Sequence, residues 1–129
     1  MTYRVYYEDT DAGGVVYHAN YLKYIERARS EVFFAAGSSP VRGKAHFVVR
    51  SLDARYFAPA KLGDEIRVVT RGGEMRAASF RLIQEVWRDA LLLFRAEVEL
   101  ALVEEGRPKR MDDALRRFVL QAFEAAAPE

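Results

Sequence analysis

At 129 residues and 14.7 kDa the chain has the length of one domain, long enough to bury a core without disulfides or metal. Half of its residues are hydrophobic, 30% charged and 12% aromatic, which fits a soluble globular domain and excludes a disordered or collagen-like one. Twenty basic residues against nineteen acidic leave a net charge of +1, with no pull toward nucleic acid or an anionic membrane, and the lack of cysteine removes disulfides, zinc-thiolate sites, iron–sulfur clusters and thiol nucleophiles.

The segment Met1–Val5 lacks the apolar stretch of a signal peptide, and the longest apolar run, Ala90–Phe94, is strand-sized. No membrane insertion and a cytoplasmic setting are the expectation. Tyr3–Glu8 is aromatic and β-branched and predicts a short strand running into the turn-rich loop Asp9–Gly14. From about His18 the pattern becomes helical. Tyr21, Leu22, Ile25, Ala28, Val32, Phe33 and Ala36 repeat at three- and four-residue spacing, and Gly37 is a natural stop. Glu26, Arg27 and Arg29 read as a solvated or interface charge cluster on that helix.

Four strands follow, Ala45–Ala58, Glu65–Met75, Ser79–Arg88 and Leu91–Glu104. Alternation in the last places Leu92, Phe94, Ala96, Val98, Leu100 and Leu102 on one face and Arg95, Glu97 and Glu99 on the other. An apolar sheet face needs a cover, and the helix near residues 18–36 is the one long enough. Gly72-Gly73 within a strand predicts a bulge or a close backbone approach. Glu105-Gly106 is a turn, and Asp112 is placed to cap a C-terminal helix over Asp113–Ala126, within 112–127. The pattern is an α+β single domain, residues 1–129.

No serine-hydrolase elbow, zinc protease motif, dinucleotide fingerprint or Walker loop occurs. Asp9-Thr10-Asp11 resembles the start of a calcium loop, but the third acidic ligand and the closing glutamate are missing, so no metal site is expected. Asp9 and Asp11 can be read simply as turn formers. A second reading gives them chemistry. Gly13-Gly14 lets backbone approach a ligand, and a helix N-terminus nearby presents unpaired N–H groups. A carboxylate beside such donors can attack a carbonyl whose oxygen they polarise. His18 near the first turn adds an acid or an orienting group.

The run Val5–Tyr21, with Glu26-Arg27-Ala28-Arg29, Phe47-Val48-Val49-Arg50 and Tyr56-Phe57-Ala58-Pro59-Ala60, closely resembles the hotdog-fold acyl-CoA thioesterases of the YbgC type, a branch of the 4-hydroxybenzoyl-CoA thioesterase-like group. The likeness covers about residues 3–110. It implies a hotdog fold, one long central helix wrapped by a five-stranded antiparallel sheet, and hydrolysis of acyl-CoA to free acid and coenzyme A without a cofactor. It implies a homo-oligomer, a dimer at minimum and commonly a tetramer, with the acyl group at the dimer interface. Asp11 matches the catalytic carboxylate, as nucleophile or as general base. The backbone N–H groups of Gly14 and His18 match the carbonyl-polarising donors, and the His18 side chain is assigned a supporting role. Tyr17 lines the site. Arg76 and Ser79 match the nucleotide-binding segment, although Ala77 and Ala78 stand where that pattern has basic residues. Subfamily analogy favours short aliphatic acyl groups over aryl ones. A hotdog hydratase or dehydratase with a histidine–carboxylate dyad, and a non-catalytic acyl-carrier or partner-binding protein of the Tol–Pal system, are the alternatives.

Overall fold

A computed structural model describes residues 1–125. Its strands and helices in chain order are β1 (Thr2–Arg4), α1 (Asn20–Ala35), β2 (Val41–Arg42), β3 (Ala45–Tyr56), β4 (Glu65–Met75), β5 (Ser79–Arg88), β6 (Leu91–Glu104), β7 (Arg107–Pro108) and α2 (Asp113–Ala125). They form one antiparallel sheet in the order β1-β4-β5-β6-β3-β2, with β7 on β6. The α+β hotdog class expected from the sequence holds. The sheet has seven strands where five were expected, because β2 and β7 add two-residue pairings at Ala45–His46 and Val103–Glu104.

The first strand is shorter than the sequence predicts. It stops at Arg4, and Tyr7–Asp9 forms a 3-10 turn because the Asp9 carboxylate accepts the Tyr6 N–H at 2.8 Å, an alternative to ladder pairing. β3 likewise ends at Tyr56, two residues early. The turn joining β5 to β6 is Asp89-Ala90, with Asp89 in the left-handed region, so Arg88 closes a strand and is not itself in the turn. At Glu105-Gly106 both residues have positive φ, the hairpin turn that matches strand twist.

Alternation builds the core. Leu82 and Val86 of β5, Ala96 and Val98 of β6 and Ile66 of β4 point inward with essentially no exposure, against Ile25 and Ala28 of α1. One inward assignment moves. Val86 pairs Phe94 and Trp87 pairs Leu92, so Leu93 is the extra residue of a bulge. Leu93 and Phe94 are therefore both fully buried, while Leu92 is half-buried. On α1 the buried stripe gains Tyr24, whose ring meets Tyr3 at 5.6 Å, and loses Ala36, which is exposed beyond the helix end. The Gly72-Gly73 signal marks both expected features. The β4–β5 register slips between Gly72 and Met75, and a Cβ on Gly73 would stand 3.1 Å from the Arg81 carbonyl oxygen.

Helix α2 starts where expected. The Asp112 carboxylate accepts the Leu115 N–H at 2.8 Å. Ala126 and Ala127 of the predicted helix lie outside the described residues. α2 buries Leu115, Val119 and Phe123, and Phe123 stacks near Phe33 (5.5 Å) and Phe80 (5.4 Å). Phe47 and Phe118 complete that aromatic cluster around Phe33. Phe123→Ala is expected to lower stability by about 3 kcal/mol, read as a lower urea midpoint at unchanged slope.

Candidate active site

Everything at the site depends on a short hairpin. Thr10 pairs Val16 across it, the Asp11 N–H donates to the Val15 carbonyl at 2.8 Å, and Asp11 stands at its exposed tip. Two glycines make the tip buildable. Gly14 has φ +80°, and a Cβ on Gly13 would stand 3.3 Å from Asp11 Oδ1. That oxygen accepts the Gly13 N–H at 2.8 Å and the Val15 N–H at 3.4 Å. Asp11 Oδ2 takes no hydrogen bond among the described residues.

The two aspartates differ in their duties. Asp9 is structural: its carboxylate holds the Tyr6 N–H, and its carbonyl accepts from the Tyr17 N–H at 3.0 Å and from Asn20 Nδ2 at 2.8 Å. Those bonds deliver the chain to the start of α1. The helix begins after Ala19 with no side-chain cap and no acidic residue in its first turn. The N–H groups of His18 and Ala19 find no acceptor among the described residues, so donors and the positive end of the helix dipole stay open. The Gly14 N–H does not join them. It donates to the Asp11 carbonyl at 3.1 Å, closing the tip, and this corrects its assignment as a free donor.

His18 opens on a cleft of about 270 Å³ lined by Val16, Tyr21, Tyr56, Phe57 and Pro59. Tyr56 Oη donates to the His18 carbonyl at 2.7 Å and fixes the peptide at the helix start. Tyr17 lies beside it, its ring 4.4 Å from the imidazole. Burial raises the Tyr56 hydroxyl above its ordinary value, and burial likewise raises Tyr21, whose oxygen accepts the Ala60 N–H at 3.0 Å. Both hydroxyls stay protonated at neutral pH.

The loop Pro59–Asp64 clamps this assembly. Its Ala60 carbonyl accepts the Val16 N–H at 2.8 Å, and its Leu62 N–H donates to Gly14 at 3.2 Å. The loop is anchored in turn to the end of β5, where Arg88 Nη1 donates to Asp64 Oδ2 (2.8 Å) and to the Pro59 carbonyl (3.1 Å). Desolvation raises the Asp64 carboxyl, but the Lys61 N–H and Arg88 outweigh it and hold the group below its ordinary value. Nothing local in the sequence marks this pair, since positions 64 and 88 are not connected until β4 and β5 are paired.

Arg76 and Ser79 are elsewhere. Ser79 pairs Ala101, seven residues along β6 from Phe94, which puts them about 20 Å or more from the His18 cleft. Arg76 is exposed, its Nε 3.1 Å from Glu74. The Ser79 side chain is buried and its hydroxyl donates to Glu99 at 3.1 Å. Ser79 is thus a strand-packing residue in this protomer, which corrects its reading as a ligand contact. Among the described residues there is no cluster of His, Asp and Glu that could hold a metal ion, and no helix long and apolar enough to cross a membrane.

Residues 13–93 match the family model described as the thioesterase superfamily. The acyl-CoA thioesterase YbgC of Helicobacter pylori is 52% identical over 87 residues, 67% of this chain and 65% of that protein, so the match spans just under two thirds of that relative. The acyl-CoA thioesterase YbgC of Haemophilus influenzae is 43% identical over 110 residues, 82% of this chain and 81% of that one. Among solved structures, a probable thioesterase from Bartonella henselae superposes with a TM-score of 0.81 at 36% identity, covering 87% of this chain and 97% of its own.

Because the folded value of Asp64 is depressed, its contribution is present above the unfolded carboxylate value, about 4, and is lost as pH falls through the folded one. Asp64→Asn is expected to cost about 1 kcal/mol at pH 7, and to flatten the fall in Tm between about pH 5 and pH 2 relative to wild type. Thermal melts across that range read both effects.

Proposed function

The chain belongs to the thioesterase superfamily, and from that membership we propose that it hydrolyses acyl-CoA thioesters to a free acid and coenzyme A. The observation that carries the reading is the pairing at the hairpin tip. An Asp11 oxygen without a partner among the described residues stands on the loop that leads into an uncapped helix start, where the His18 N–H likewise meets no acceptor among them. Thioester hydrolysis needs that combination of a nucleophile or base and a donor aimed at the developing oxyanion.

Two routes fit the same groups. In the first, an Asp11 oxygen attacks the thioester carbon, the C–S bond breaks, thiolate leaves and water then cleaves the mixed anhydride. In the second, Asp11 takes a proton from water as it attacks. The His18 N–H, with Ala19 beside it, polarises the carbonyl in either case, and the His18 imidazole orients water or protonates the leaving thiolate. Tyr17, Tyr56 and Phe57 flank the acyl group. A short aliphatic acyl group is the class we favour.

We place the reaction in a homo-oligomer. α1 packs over β4 and β5 and leaves the inner face toward β3 uncovered. Val49, Leu52, Tyr56 and Phe57 are 39–56% exposed there, and the outer edge of β3 is unpaired beyond Phe47. An unpaired edge beside an apolar face favours a second copy pairing β3 antiparallel to β3. That pairing carries the Arg76 turn, level with Val48, toward the Tyr56 end of the partner, where the cleft lies. Arg76 then reaches coenzyme A phosphates bound at the other subunit. A tetramer of two such dimers, working in the cytoplasm, completes the reading.

Thiol release from a panel of short aliphatic, long aliphatic and aryl acyl-CoAs tests it. Wild type is expected to turn over the short aliphatic class, and Asp11→Asn to lose about a hundredfold or more in kcat with its circular dichroism unchanged. Equal, slow release by both proteins would remove Asp11 from the mechanism, and hydration of an enoyl-CoA included in the panel, without thiol release, would point to the hydratase chemistry.

A further inference from the structure

Glu26, Arg29 and Ser30 face a groove of about 550 Å³ between α1 and β3, with Phe47 and Val49 on the far wall and Leu100 at its floor. Arg29 is drawn down beneath the helix. Its Nη1 donates to Gln84 Oε1 at 3.3 Å. Gln84 is fully buried, and its Nε2 donates to the Ile25 carbonyl (2.8 Å) and to Thr70 Oγ1 (3.0 Å). This network consumes the glutamine and leaves most of the guanidinium's donors unused. Burial pushes the Arg29 value down, with Glu26 pulling it back up.

Neither charge is matched. Among the described residues no carboxylate pairs with Arg29 and no cation pairs with Glu26. Glu26 accepts a single hydrogen bond, from Ser30 Oγ at 3.3 Å. A half-buried, unpaired cation is costly, and a carboxylate one helical turn away that does not close on it is free to serve another partner.

We propose that Arg29 and Glu26 form reciprocal ion pairs with the partner's Glu26 and the partner's Arg29 across the twofold axis of a dimer, joining α1 to α1. The inference rests on the β3-edge dimer proposed above. The register supports it. α1 runs antiparallel to β3, with Tyr21 on Tyr56 (5.5 Å) at one end and Phe33 on Phe47 (5.6 Å) at the other. Halfway between those contacts lie Arg27 on the helix and Ser51-Leu52 on the strand. A twofold axis through the middle of the β3 edge is therefore level, along the strands, with the middle of α1, and Glu26 and Arg29 lie on either side of that level on the helix face that opens on the groove toward β3. In such an interface residue i meets j and j meets i, and antiparallel helices set 26 against 29 twice. Opposite charges then meet in a groove that the second copy has dried, where pairing is strongest.

Light scattering on the full chain reads the dimer directly. Glu26→Arg, a change at an exposed position, is expected to raise the dimer dissociation constant about tenfold or more with protomer circular dichroism unchanged. The exchange Glu26→Arg/Arg29→Glu is expected to restore most of that loss. A second readout does not need the exchanged protein to fold. Since the chain has no cysteine, mixing the single variants Glu26→Cys and Arg29→Cys under mild oxidation is expected to give covalent dimer faster than either variant alone. A wild-type monomer at micromolar concentration would overturn the β3-edge dimer itself. A wild-type dimer that tolerates Glu26→Arg, or whose mixed cysteine variants crosslink no faster than each alone, would overturn the ion pairs and leave the dimer standing.

Discussion

The sheet is wider than one helix can cover. Six strands side by side span about 24 Å, and a helix with its side chains about 10 Å. α1 settles over β4 and β5, where Ile25 and Ala28 meet Ile66, Leu82 and Val86 in a dry core. α2 closes a second part of the face by wedging Phe123 between Phe33 and Phe80. What is left is the strip along β3, where strand residues that alternate inward, Val49, Leu52 and Tyr56, still meet solvent. The core, the groove beside α1 and the cleft at its N-terminus are three consequences of that one mismatch.

A site at the margin of a core needs another source of rigidity, and here it comes from hydrogen bonds. The hairpin carrying Asp11 has few buried side chains, Val5 and Val16 being the nearest. Its backbone is held to Ala60 and Leu62, that loop to Asp64, and Asp64 to Arg88 at the end of a central strand. The same logic runs along the outer face of the sheet. Glu85 sits between Arg71 (3.0 Å) and Arg95 (3.8 Å), and Glu99 accepts from Ser51 and Ser79. Cross-strand partners let these carboxylates lie nearly buried on a face that the polar alternation directs to water.

The long elements were legible because their signals are periodic. Three of the four long strands have the bounds that alternation and turn residues mark, and α1 covers the three-and-four repeat as far as Phe33. Several of the misplaced features depend on partners distant in sequence. Leu93 becomes a core residue only because β5 imposes a bulge opposite it, and Tyr24 turns inward because Tyr3 arrives on β1. Ser79 looks like a ligand-facing hydroxyl until β6 brings Glu99 beside it. At the site, the Asp-Thr-Asp and Gly-Gly run carries its own meaning, since local turn geometry decides it. The Arg88–Asp64 anchor carries none until the sheet is assembled.

The division between the two aspartates follows from where each can find donors. Asp9 lies at the base of the hairpin, within reach of the Tyr6 amide, and its backbone is already bonded to Tyr17 and Asn20. Its negative charge is spent on shape. Asp11 lies at the tip, where the only donors to it among the described residues are the amides of its own turn, and these reach one oxygen. A serine or aspartate at the N-cap would have tied up the amides of the first turn, and an acid there would have offset the positive end of the helix. Ala19 at that position, and no acid in the first turn, keep them for whatever oxygen enters the cleft. A free carboxylate oxygen and a free helix start are each satisfied by water while the cleft is open, both being exposed. Held on one clamped loop, they present an acceptor and donors at a fixed separation, the complement of a polarised carbonyl that is electrophilic at carbon and anionic at oxygen.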